Sequence, residues 1–86
     1  MFYQNFTKGS LEFLIQKEKK NIKRLEGNVE YFENAKSSFY SLPEFMKMEM
    51  KSHLREIEEN IQTFSFELSN SKSMLQDLEK TLTQRQ

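Results

Sequence analysis

The chain has no cysteine and no tryptophan, and holds only one proline, two glycines and one histidine among its 86 residues. Without cysteine, neither a disulfide nor a thiolate metal site can staple so small a domain. A metal needs several converging ligands, and His53 has no second histidine or cysteine to join it, so no metal site is expected. No glycine-rich phosphate loop, nucleophile elbow or His-Glu-x-x-His is present, so neither catalytic nor cofactor-binding residues are expected. Carboxylate pairs such as Glu58-Glu59 sit among many other charges and read as a solvated face.

Charge of one sign is also missing. Thirteen basic and thirteen acidic residues cancel, so the net basic field of a nucleic-acid binder is absent. Lys17, Lys19, Lys20, Lys23 and Arg24 cluster, but Glu18 and Glu26 interrupt them and no aromatic stacking platform accompanies them. No uninterrupted apolar run approaches the roughly 18 residues of a membrane span. The first five residues lack a basic stretch followed by an apolar one, so a signal peptide is not expected and the cytoplasm is the expected location.

What is present is a heptad pattern in two segments of one small domain, residues 1–86. Lys8, Leu11, Ile15, Glu18, Ile22, Leu25, Val29, Phe32, Lys36 and Phe39 step alternately by three and four. Seven of the ten are apolar, which defines one seam on a helix. The second series is Lys47, Met50, Leu54, Ile57, Ile61, Phe64, Leu68, Ser71, Leu75, Leu78 and Leu82, of which nine are apolar. Scarce glycine and proline agree with a mostly helical chain. The expected fold is all-α: an antiparallel two-helix hairpin, coiled-coil-like, associating into a four-helix bundle.

Pro43 marks the turn, because proline is tolerated only in a first helical turn and disfavours helix at the residue before it. Helix one is expected over about 6–40, the turn over 41–43 and helix two over about 42–84. Ser41 and Glu44 have the spacing of a capping box, and Tyr40 and Phe45 flank it as a hydrophobic staple would. At the other end, either Gly9-Ser10 caps the first helix or the helix begins near Asn5. Folding about Pro43 sets Phe32 opposite Leu54, Leu25 opposite Ile61 and Leu11 opposite Leu75. The polar interruptions then fall apart, Glu18 against Leu68 and Ser71 against Ile15, while Glu33 nears Lys51 and Glu12 nears Lys72.

The two flanks of the seam differ. One carries Glu12, Lys19, Glu26, Glu33, Lys51, Glu58, Lys72 and Glu79 and reads as solvated. The other carries Leu14, Asn21, Asn28, Ala35, Met46, His53, Asn60 and Met74, with Glu67 as its one charge. Depletion of charge is the compositional mark of an interface core. Further candidates for partner binding are Phe13, Phe45 and Phe66, on the face opposite the seam with Phe6, and Met48 in the methionine-rich stretch after the turn. Phe2 and Tyr3 add to these rings.

The expected function is therefore that of a non-catalytic protein–protein interaction module: a small helical subunit, adaptor or chaperone. A homodimer is the simplest product, since two-fold dimers are the commonest oligomers. A heteromeric partner would use the same flank. An inhibitor of viral or mobile-element type, masking a host enzyme through the outward rings, is the alternative. A secreted helical hairpin is a third reading on shape alone, because the tryptophan-x-glycine turn of such proteins is replaced here by Ser41-Leu42-Pro43.

Overall fold

The computed structural model describes Tyr3 and residues 5–85, and Phe2 lies outside that range. Helix α1 spans Lys8–Tyr40, a short α2 spans Glu44–Glu49, and α3 spans Lys51–Arg85. α1 and α3 pack against each other along their length, and no strand occurs among the described residues. The result is the expected all-α helical hairpin.

Its core is the heptad seam. Leu11, Ile15, Leu25, Phe39, Ile57 and Leu78 are buried, and every other apolar seam residue is partly buried. Burial follows the three-and-four spacing because only that stripe of each helix can reach its neighbour. At mid-length Phe32 and Phe64 stack, with centroids 5.8 Å apart and planes 18° from parallel. The molecule measures 60 × 18 × 13 Å. Its smallest dimension is about one helix diameter, so a single layer of two helices makes the whole fold.

The start of α1 has a cap at neither of the two expected places. Thr7 is the N-cap, in extended backbone, and its hydroxyl oxygen accepts from the Ser10 amide at 3.1 Å. This satisfies one of the amides that a helix start leaves without an intrahelical partner. Ahead of it, the Phe6 amide donates to the Tyr3 carbonyl and the two rings meet edge-on. Tyr3 and Phe6 then pack on the cluster of Leu11, Ile15 and Leu78. Phe6 is therefore part of the core's end and does not stand with the outward rings.

The turn differs from expectation too. Ser41 closes α1, its amide bonded to the Ser38 carbonyl and its hydroxyl donating to the Ser37 carbonyl at 3.3 Å. It is thus unavailable to cap the next helix, and no capping box forms. The N-cap of α2 is Pro43, which has no side-chain donor or acceptor; its carbonyl accepts from the Met46 and Lys47 amides. Glu44 turns to Lys47 at 3.4 Å. The staple is also unmade: Tyr40 lies edge-on to Phe39, and Tyr40 and Phe45 are both exposed.

The expected second helix is split at Met50, whose φ of −100° and ψ of 22° leave the helical region. Glu49, Met50 and Lys51 are all good helix formers, so local propensity does not explain the break. It stands where the chain brings the seam of α3 onto α1. Because α2 is spent inside the reversal, the hairpin pivots within α2 and not at Pro43. The register slides by about one heptad as a result: Asn21 reaches Ser71, six residues past its expected level at Ser65, and Phe32 reaches Phe64, ten past Leu54. A slide of one heptad still sets seam on seam, which is why the right residues are buried with different partners.

The slide changes the polar contacts as well. Asn21 donates to Ser71 Oγ at 2.9 Å and to Glu18 Oε1 at 3.2 Å, and its carbonyl oxygen accepts from Arg24 at 2.7 Å. Two of the seam's polar interruptions, Glu18 and Ser71, therefore come together in one hydrogen-bonded layer. On the charged flank the cross-helix pairs are Lys36 with Glu58 at 3.4 Å and Lys72 with Glu26 at 3.9 Å. These replace the expected Glu33–Lys51 and Glu12–Lys72 approaches.

Candidate interaction surface

Two helices can cover only part of each other's apolar stripe, and here the two sides of the seam end differently. Every member of the charged flank is exposed: Glu12, Lys19, Glu26, Glu33, Lys51, Glu58, Lys72 and Glu79. On the other flank Leu14, Asn21, Asn28, Ala35, Met46 and Asn60 are partly buried, while His53 and Met74 are exposed. The heptad places both series beside the seam. Short neutral side chains lie close over the seam, whereas long charged ones extend into water.

The neutral flank is closed at one end. Leu14 joins Tyr3, Phe6, Leu75 and Leu82 around the core cluster, and Thr81 is 2% exposed. Thr81 continues the seven-residue series through His53, Asn60, Glu67 and Met74, so extending that series would have found it. Its hydroxyl donates to the Asp77 carbonyl at 2.8 Å, so its burial leaves no polar atom without a partner. At the same level on the opposite side, Glu12, Gln16, Lys19, Glu79 and Thr83 line an open groove.

From Asn28 towards the turn the neutral flank has no such cover among the described residues. Asn21 is occupied within its polar layer, and Asn60 donates to the Glu56 carbonyl of its own helix at 2.9 Å. Neither amide presents a strained or orphaned group. Nearer the turn, Ala35, Ser38, Phe39, Leu42, Met50 and His53 line a groove. Leu42 is not among the expected contact residues, since it falls where the turn passes into the expected second helix.

Around the turn, Tyr40, Phe45 and Met48 are exposed by 54%, 64% and 78%. Met46 is partly buried beside them. A second groove, lined by Phe39, Lys47, Met48, Lys51 and Leu54, opens here. Phe13 and Phe66 stay exposed on separate helices, and among the described residues neither ring stacks on another. The outward phenylalanines thus form no common patch. Tyr31, equally outward, was missed although it lies off the seam of α1 just as Phe13 does.

No helix among the described residues is long and apolar enough to cross a membrane. The chain matches no protein-family model, no curated protein and no solved structure.

Proposed function

We propose that this protein is a non-catalytic interaction module that docks a helical partner along its neutral flank, from Asn28 to Met74. The observation that supports this most is the asymmetry of the seam. One flank is mostly charged and forms ion pairs between the helices. The other is nearly uncharged and open over most of its length in a molecule one helix thick. Helices that pack side by side bury such a flank and leave the charged one in water.

Placing lysines at Asn28 and Asn60 sets charge in the middle of that flank without touching the buried seam. In the protein's own cells, tagged wild-type protein should elute in gel filtration as part of a complex. The double variant Asn28→Lys/Asn60→Lys should elute as the free hairpin, with its helicity unchanged. Lysine at Ser65, on the charged flank, should leave the complex intact. Equal elution of all three proteins would reject the reading.

A second reading rests on the turn, where Tyr40, Phe45 and Met48 stand exposed together. Methionine and aromatic surfaces adapt to varied partners, and an inhibitor would bind through this end. Polar replacement of Phe45 and Met48 would abolish binding under this reading and spare it under the first.

A further inference from the structure

The charges beside the neutral flank are sorted by helix. One position outward from the flank on α1, the seven-residue series Lys17, Arg24, Tyr31, Ser38 contains only basic charge. The corresponding series on α3, Glu56, Thr63, Asn70, Asp77, contains only acidic charge. Glu67 adds another negative charge within the flank of α3. All five charged groups are exposed, and none takes part in an ion pair among the described residues. The chain as a whole repeats the asymmetry. Residues 1–40 hold seven basic and five acidic residues, whereas 41–86 hold six and eight, so a neutral protein has two halves of opposite sign.

We infer that the occupant of the neutral flank is a second copy of this chain, laid on it with both turns at the same end. This rests on reading that flank as an interaction surface. A two-fold axis parallel to the helices places each α1 against the partner's α3, antiparallel, and forms a four-helix bundle. The basic rim of each copy then lies along the acidic rim of the other.

The internal register fixes which charges meet. Asn21 bonds Ser71, so Lys17, one turn further from the hairpin's turn, stands level with the stretch of α3 that includes Asp77. An axis parallel to the helices preserves level, so Lys17 meets the partner's Asp77, twice per dimer. Setting the turns at opposite ends would stack α1 on α1 and α3 on α3. Like rims would then face each other, which charge complementarity opposes.

The exposed area agrees. The chain has 6552 Å² of accessible surface, where a globular monomer of 10.4 kDa exposes about 5,400 Å². The excess, on the order of 1,100 Å², is comparable to the roughly 800 Å² that each partner buries in a standard interface. A one-layer hairpin therefore has the surface to bury in a second layer.

The test is sedimentation equilibrium of the full chain. Wild type should be a dimer. Lys17→Glu sets two negative pairs in the interface, and Asp77→Lys sets two positive pairs. Each variant alone should dimerise about ten-fold more weakly or worse, with unchanged helicity by circular dichroism. Mixed in equal amounts, the two variants should recover wild-type affinity, because the mixed dimer again holds two opposite-charge contacts. A change confined to one folded chain cannot be repaired by mixing. A monomeric wild type, or a mixture no tighter than its components, would overturn the proposal. The flank reading would survive either result if Asn28→Lys/Asn60→Lys still released the protein from a complex in its own cells, and would fall with it otherwise.

Discussion

Asn21 on α1 hydrogen-bonds Ser71 on α3 at 2.9 Å, fifty residues away along the chain. Ser71 is buried and Asn21 partly so, and Glu18 and Arg24 complete the layer. This contact matters because a heptad seam is self-similar: sliding α3 by seven residues still meets apolar with apolar. A polar layer breaks that degeneracy, since only one register lets its members satisfy each other. A single polar layer fixing register at some cost in stability is known from coiled coils.

Replacing Asn21 by alanine should cost about 1 kcal/mol in urea unfolding, and a double-mutant cycle with Ser71→Ala should give a coupling of about 0.5–1.5 kcal/mol. Replacing both residues by leucine should restore or raise stability but admit a second register. Spin labels at Ser10 and Lys80 would then give a broadened or two-peaked distance distribution. A single sharp distance in that variant would show that the turn alone sets the register.

Gly27 lies inside α1 with negative φ, and a methyl group added to it would meet nothing within 4 Å. Gly27→Ala should stabilise the hairpin by about 0.5–1 kcal/mol through helix propensity. Thermal unfolding checks this. A loss of stability would mean that something close-packed lies against that position.

Thr7 caps α1 through the Ser10 amide. Thr7→Ala should cost about 1 kcal/mol, and Thr7→Ser should cost much less because the hydroxyl is kept. Amide exchange should quicken mainly at Lys8 to Leu11 in the alanine variant. Tyr3 and Phe6 should loosen with it, since the cap directs the segment that packs them on Leu11 and Leu78.

The Phe32–Phe64 stack joins the helices at mid-length. Either ring truncated to alanine should cost about 2–3 kcal/mol, towards the low end of core values because both are only partly buried. Phe13→Ser and Phe66→Ser should change stability by no more than about 0.5 kcal/mol, as both rings are largely exposed. Urea titration of the four variants separates the inner pair from the outer.

The heptad spacing carried the helices, the seam and the difference between the flanks, because burial on a helix face depends on sequence position alone. It could not carry the register, which depends on how many residues the reversal consumes. α2 and the break at Met50 lie among good helix formers, so nothing local marked them. Ser41 looked like an N-cap because the motif matched, yet α1 claimed it first as a C-cap. Thr7 is a capping residue type ahead of the first apolar seam position, yet Gly9-Ser10 and Asn5 stand in its place in the expected start. The folding of Tyr3 and Phe6 onto the open end was not legible, because it depends on a tertiary contact with Leu78.

We propose the flank through Asn28 and Asn60 as the binding face, and not the flank through Glu33 and Ser65. Photo-crosslinking amino acids placed singly at these four positions, in the protein's own cells, test it most directly. Asn28 and Asn60 should give one discrete crosslinked band each, to a second copy of the chain. Glu33 and Ser65 should give none. Equal crosslinking from both flanks, or crosslinks from Glu33 and Ser65 alone, would rule out the neutral flank as the binding face.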